Sequence, residues 1–264
     1  TIACALVAAK MHIKIAHIEA GCRSFDRTMP EEINRILTDA ISDYLFALDD
    51  ISVSNLKNEG IHKNKIFLVG DIMIDSLKYG VDKIKNDYSI LNSYNLLPNN
   101  YCVLTMHRPS NVDNENRLLE IFDILHSIQN EITIIFPIHP RSLKNIRKFR
   151  KVNLALRKCK NIILTEPLGY FDFLSLFSKS KFVLTDSGNI QQETSYLNIP
   201  CLTLRDNTER PVTVSSGSNE LVGANKKRIL YYWNLIKNNK YKTAQKIKLW
   251  DGKTSERIVR ILLN

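Results

Sequence analysis

A chain of 264 residues, 44% hydrophobic and 24% charged, has globular composition and the length of one large domain or two smaller ones. It holds no apolar run near the ~18 residues that a bilayer-spanning helix needs, so no membrane role is expected. The net charge of +10 raises nucleic acid as a partner, but the cations lie in Lys-, Asn- and Ile-rich segments such as NLKNEGIHKNK, with no basic stripe interleaved with aromatics.

Nucleic acid is therefore set aside, and attraction for a phosphorylated small molecule remains. Cys4, Cys22, Cys102, Cys159 and Cys201 are odd in number, scattered and never in a CxxC spacing. That pattern speaks against a disulfide framework or structural zinc and fits a reducing cytoplasm.

The chain opens on a helical pattern, IACALVAAKMH, and continues into a strand-like run, IKIAHIEA, that ends in Glu19. MPEEINRILTDAI reads as the next helix. Pro30 suits its first position, and Glu31 and Glu32 favour the positive end of its dipole. Ile33, Ile36, Leu37 and Ile41 mark its expected buried face, and Arg35 pairs with Glu31 at i, i+4. DYLFAL and KIFLVG follow as strands. Residues 78–101 are the most polar stretch between two strand runs, so a domain boundary falls there or just before it.

YCVLTM, ITIIFPI, NIILTEP, KFVLTD and PCLTLRD continue the strand series. Between the first two, ENRLLEIFDILHSIQN places Leu118, Ile121, Phe122 and Leu125 at helical spacing. TSERIVRILLN is the last helix. Strands alternating with helices predict parallel sheets covered on both faces. The fold is expected to be α/β with two doubly wound domains. A crossover helix with no strand before it predicts that the first domain is incomplete at its amino terminus.

Ligands in such sheets bind beyond the carboxyl ends of strands. Four of those ends carry chemistry: Glu19, then His107 with Arg108, then His139 with Arg141, and the turn from Asp186 to Asn189. In LTDSGNIQQE, a strand runs into a Ser-Gly turn and a helix whose free amides form an anion site suited to pyrophosphate. Glu193 lies one turn into that helix, within reach of a sugar hydroxyl. A helix capped by Ser or Asn, with no ligand, is an equal alternative for the turn alone. Arg210 follows the next strand and is expected near the same crevice, where its fork suits phosphate. Helix-start chemistry fully explains Glu32 and Arg35. It explains Glu19 less well, because a carboxylate leaving an apolar run is partly desolvated and suited to proton transfer.

HIEAG, RSFDR, MPEEINR, TMHRPSNVD, FPIHPR, EPLGYFDFL, LTDSGNIQQE, LRDNTERP and WDGKTSERI, with VGD…ID between the third and fourth, occur in order along the whole chain. The set resembles the non-hydrolysing UDP-N-acetylglucosamine 2-epimerases. That resemblance implies two Rossmann-like domains in a glycosyltransferase-B-like arrangement. Residues 1–75 would be the remaining half of the amino-terminal domain, with 251–264 packing back on it. Residues 76–250 would be the carboxy-terminal UDP-binding domain. It also implies interconversion of UDP-N-acetylglucosamine and UDP-N-acetylmannosamine through elimination of UDP to 2-acetamidoglucal and re-addition, without a metal or nicotinamide cofactor. A homodimer supplying surface polysaccharide precursors is the usual setting.

By motif position, Glu19 and Glu31 match the family's catalytic carboxylates and His107 its histidine near the diphosphate. Arg108 falls in the same substrate-binding motif. Ser187, Gly188 and Asn189 match the phosphate-binding turn, Glu193 the ribose-binding carboxylate, and Leu168 and Phe173 the uracil-holding positions. Arg210 matches a diphosphate-binding arginine, and His139 a histidine that in bacterial members serves a second, activating substrate molecule. Gln192 stands where the family usually has Glu, and Val212 where an acidic residue is common; Asn189 replaces a glycine that lets backbone approach phosphate closely, so weakened rather than lost binding is expected there. The family's remaining diphosphate-binding Arg and Lys, and a third carboxylate in a GD motif, would fall upstream of Thr1.

Related readings are a UDP-2,3-diacetamido-glucuronic acid 2-epimerase, a hydrolysing 2-epimerase and a retaining glycosyltransferase. The hydrolysing enzymes lack PEEINR, and the glycosyltransferases do not need the Glu19 and Glu31 pair. An inactive, truncated nucleotide-sugar-binding protein is the reading of a different class.

Overall fold

In the computed structural model, which describes residues 1–263, strands and helices form two units. The first comprises Thr1–Tyr79, Asn207–Ser216 and the chain from Gln245 on; the second comprises Gly80–Asp206 and Gly217–Ala244. The boundary falls inside the Ile72–Ile84 helix.

The first unit carries a parallel sheet of β1 (Ala16–Ala20), β2 (Tyr44–Ala47) and β3 (Ile66–Leu68), in that spatial order. Side chains alternate across β2. Leu45 and Ala47 pack with Ala20 and Leu56 on one face, and Phe46 packs with Val69 and Ile258 on the other. Both faces are thus covered, which is why DYLFAL reads as a continuous apolar run. Ile258 belongs to the Thr254–Leu262 helix, whose start is tied down by Asp75: the Ser255 amide donates to that carboxylate at 2.8 Å and the Thr254 amide at 3.1 Å.

The second unit carries a six-stranded parallel sheet of β4 (Tyr101–Thr105), β5 (Thr133–Pro137), β6 (Ile162–Thr165), β7 (Phe182–Thr185), β8 (Cys201–Thr203) and β9 (Asn219–Leu221). Its spatial order is β6-β5-β4-β7-β8-β9. Counted from β4, that is the 3-2-1-4-5-6 order of a dinucleotide-type fold, with the reversal between β4 and β7. The Glu115–Ile128 helix buries Leu118, Ile121, Phe122 and Leu125 as its spacing predicts, and Asn114 caps it by accepting from the Arg117 amide at 3.1 Å.

All eight strand-like runs become strands. One strand goes unanticipated and one expectation needs correction. β9 carries no apolar run: Asn219 and Glu220 occupy two of its three positions, so no pattern announces it. The Pro30–Ile41 helix begins where Pro30 predicts, but its buried residues are Glu32, Thr38 and Asp39, while Ile33 and Leu37 are 41% and 48% exposed. Polar side chains are buried there because each has partners. Arg35 forms an ion pair with Glu32, at i, i+3.

Candidate active site

In the first unit, Glu19 sits where the β1–β2 pairing slips, between Ile18 and Ala20, and its backbone is left-handed with φ +64. A left-handed non-glycine residue costs ~1–3 kcal/mol and persists only where its surroundings hold it. Its surroundings do. The Arg210 guanidinium donates from Nη2 to Glu19 Oε2 at 2.7 Å and from Nη1 to Cys22 Sγ at 2.6 Å. Burial alone would push the Arg210 pKa down, but the charges of Glu19, Asp71 and Glu209, with Cys22, outweigh it and push it up. Burial raises the Cys22 thiol to about 12, so its sulfur is a neutral acceptor here.

A buried network fixes the loop after Glu19. Asp39 receives His17 Nδ1 at 2.6 Å, the Gly21 amide at 3.0 Å and Arg23 Nη2 at 2.7 Å. Arg23 also grips Glu59 through two bonds of 2.7 and 2.6 Å and donates to the Cys22 carbonyl at 2.8 Å. Burial works against the Arg23 charge, and Glu59 and Asp39 more than restore it, pushing its pKa up. Gly21 is required where it stands: its φ is +80, and a Cβ there would meet the Ser52 carbonyl oxygen at 2.3 Å.

Glu32 then closes the loop, accepting the amides of Ser24 at 3.0 Å and Phe25 at 2.8 Å. It is structural, as the helix-start chemistry predicts. Glu31 lies beside it in the first helical turn with its side chain exposed. The two carboxylates singled out by sequence therefore flank one clamped loop, Glu19 before it and Glu31 after it.

In the second unit, the crevice lies at the ends of β4 and β7, the reversal point of the sheet. A cavity of about 220 Å³ opens there, and five of the residues singled out by sequence line it: His107, His139, Leu168, Phe173 and Ser187. The His107 and His139 rings lie 5.6 Å apart. His139 caps the Pro140–Lys148 helix, its Nδ1 accepting the Arg141 amide at 3.1 Å. Phe173 packs against Phe177 with tilted rings, 5.3 Å between centroids, which steadies the apolar wall.

Ser187 is the N-cap residue of the Gly188–Tyr196 helix, and its side chain makes no capping bond. This weakens the capped-helix alternative and leaves the first-turn amides suited to an anion. Gly188 is buried, Asn189 exposed, and Glu193 buried one turn on. The Tyr170 hydroxyl donates to the Glu193 carboxylate; burial first, then that charge, raises the phenol to about 12. The Arg108 backbone amide donates to Asp186 at 2.8 Å. Arg210 belongs to the first unit, where it pairs with Glu19.

Sequence reasoning left Cys22, Arg23, Asp39, Glu59 and Tyr170 without a role. It also noted Asp186 only as a strand end. Asp186 is fully buried and is the hub of the β4–β7 crevice. Its carboxylate accepts the His107 and Arg108 amides, Asn111 Nδ2 at 3.2 Å and His107 Nδ1 at 3.1 Å. Burial would raise its pKa; His107 and the surrounding donors win and hold it below the ordinary carboxylate range.

Comparison with known proteins follows the same lines. The family profile described as UDP-N-acetylglucosamine 2-epimerase matches residues 1–263. A Methanocaldococcus jannaschii protein named UDP-N-acetylglucosamine 2-epimerase is 46% identical over 98% of this chain and 71% of its own length. A Pseudomonas aeruginosa UDP-2,3-diacetamido-2,3-dideoxy-D-glucuronate 2-epimerase is 41% identical over 85% of this chain and 61% of its own. Among solved structures, the M. jannaschii UDP-GlcNAc 2-epimerase in complex with UDP-GlcNAc and UDP superposes with a TM-score of 0.88, at 44% identity over 99% of this chain and 72% of that one. The Neisseria meningitidis UDP-GlcNAc 2-epimerase bound to UDP-GlcNAc gives 0.87, at 32% identity over 100% and 73%.

Proposed function

The chain belongs to the UDP-N-acetylglucosamine 2-epimerase family, and from that premise we propose that it interconverts UDP-N-acetylglucosamine and UDP-N-acetylmannosamine. The observation that carries this reading is Glu19 itself: a carboxylate held in a strained backbone at a strand end, locked to a buried arginine, with a second carboxylate across the loop. Inversion at C2 needs protonatable groups able to serve both faces of that carbon, and Glu19 and Glu31 supply them.

In the proposed sequence, a carboxylate takes the C2 proton and the C2–H electron pair becomes a C1=C2 double bond. The C1–O bond breaks, and UDP departs with its electron pair. UDP then adds back to C1 of the 2-acetamidoglucal, and C2 regains a proton on its opposite face. Donors aimed at the leaving diphosphate lower the barrier because negative charge grows there. His107, the first-turn amides after Ser187, and Arg210 have the chemistry for that work. Glu193 suits ribose hydroxyls, and Leu168 with Phe173 an apolar base wall.

His139 is kept as a contact for a second substrate molecule. A homodimer supplying a surface polysaccharide precursor is the setting we favour, in the cytoplasm, where five free cysteines suit a reducing milieu. A diacetamido-glucuronate substrate is the second reading, favoured by the Pseudomonas relative.

Following UDP-N-acetylglucosamine by proton NMR tests the assignment. The anomeric signal of UDP-N-acetylmannosamine should appear and grow to a fixed ratio, and Glu19→Gln should slow it by at least ~10²-fold. Free sugar with UDP would mean hydrolysis instead, and conversion of only the diacetamido substrate would support the second reading.

A further inference from the structure

We propose that Asp186 is the positioning residue of an Asp–His dyad, fixing the His107 ring so that Nδ1 is held as a donor and Nε2 is presented to the substrate diphosphate. The proposal rests on the epimerase reading for what Nε2 meets; the dyad itself rests on geometry. Asp186 Oδ1 lies 3.1 Å from His107 Nδ1. An ionised carboxylate can only accept, so that nitrogen must carry a proton, and Nε2 is the one left to the cavity His107 lines.

The carboxylate cannot turn away from the ring. It has no exposed surface, and the His107 amide at 3.0 Å, the Arg108 amide at 2.8 Å and Asn111 Nδ2 at 3.2 Å occupy its other lone pairs. Asn111 is itself anchored, donating to the Leu204 carbonyl at 2.9 Å beyond β8. The dyad bridges β4 and β7, so the reversal of strand order that creates the crevice also fixes the ring within it. His139 faces the same ring from the end of β5, and Arg108 follows on the His107 loop.

Asp186 would thus do for His107 what a buried carboxylate does for any general-acid imidazole: set the tautomer, orient the ring and stabilise its charged form as negative charge develops on the departing diphosphate. A purely architectural Asp186 would tie two loops together and nothing more. The two roles separate in a double-mutant cycle.

In the full chain, Asp186→Asn should lower kcat ~10²-fold with KM changed less than ~3-fold, since it spoils a group whose contribution is ~10²–10⁴. In a His107→Ala background, the same substitution should cost less than ~3-fold. An equal loss in both backgrounds would overturn the proposal. Two-dimensional ¹⁵N NMR of the wild-type imidazoles gives an independent readout, with His107 assigned by the signal that His107→Gln removes. A protonated Nδ1 supports the dyad; an Nε2–H tautomer with bare Nδ1 refutes it, even if Asp186→Asn fails to fold. If wild-type protein does not turn over UDP-N-acetylglucosamine, the epimerase reading fails while the tautomer still decides the dyad.

Discussion

The neighbouring Glu31 and Glu32 should separate cleanly on substitution. Glu32 is 1% exposed and accepts two backbone amides and the Arg35 guanidinium. Glu32→Ala strands the two amides; Arg35, partly exposed, can turn to water. At ~1–3 kcal/mol per unsatisfied buried donor, the first unit should lose about 3 kcal/mol. Glu31→Ala removes an exposed first-turn side chain, whose charge at the helix start is worth about 0.5 kcal/mol. The chain has two tryptophans, and they divide between the units: Trp250 is buried in the first, Trp233 in the second. In a Trp233→Phe background, Trp250 emission therefore reports urea unfolding of the first unit alone. With m near ~1.5 kcal/mol/M, the Glu32→Ala midpoint should fall by roughly 2 M.

The pH dependence has a definite sign. Burial would raise the Glu32 pKa, but the Ser24 and Phe25 amides and Arg35 prevail and hold it below its ordinary 4.5. A depressed folded pKa adds stability that is present above the ordinary value and lost as pH falls through the folded one. Glu32→Gln should therefore flatten the acid limb of the unfolding curve. A Glu32→Ala loss below 1 kcal/mol, or a Glu31→Ala loss as large as that of Glu32→Ala, would refute this division of roles.

Three further substitutions probe the site. Arg210→Met should destabilise the first unit by about 2 kcal/mol in the same Trp250 assay, less than a fully buried pair because Glu19 keeps 28% of its side chain in water. Gly21→Ala should cost about 3 kcal/mol, combining the left-handed backbone with a Cβ driven against the Ser52 carbonyl; an unchanged midpoint would mean that the Ser52 turn yields easily. Asn189→Asp places a negative charge in the first turn of the proposed phosphate helix and should weaken UDP at least ~10-fold by calorimetry, whereas unchanged affinity would locate the phosphate elsewhere.

Much of the fold was legible because it is written in local pattern. Eight strands announce themselves as apolar runs, and the Glu115–Ile128 helix by its spacing. β9 escaped because backbone pairing with β8 makes it a strand, while its residues are polar. The Pro30–Ile41 helix misled because amphipathicity assumes that apolar side chains go inward; here the inward face carries Glu32 and Asp39, each buried with ion-pair partners. The site was legible where motifs carry it, as at Glu19, His107 and Ser187. The groups that hold those residues were not. Asp186 lies 79 positions from His107 and Arg210 191 from Glu19, and no spacing rule links such pairs before the sheet order is known.

Epimerisation by elimination obliges the C2 proton to leave and a solvent-derived one to arrive. The direct measurement is NMR of the nucleotide sugars formed from UDP-N-acetylglucosamine in heavy water. The mechanism proposed for Glu19 and Glu31 predicts UDP-N-acetylmannosamine carrying deuterium at C2 from its first appearance. UDP-N-acetylmannosamine that keeps a proton at C2, or deuterium-free UDP-N-acetylglucosamine with no epimer formed, would contradict it.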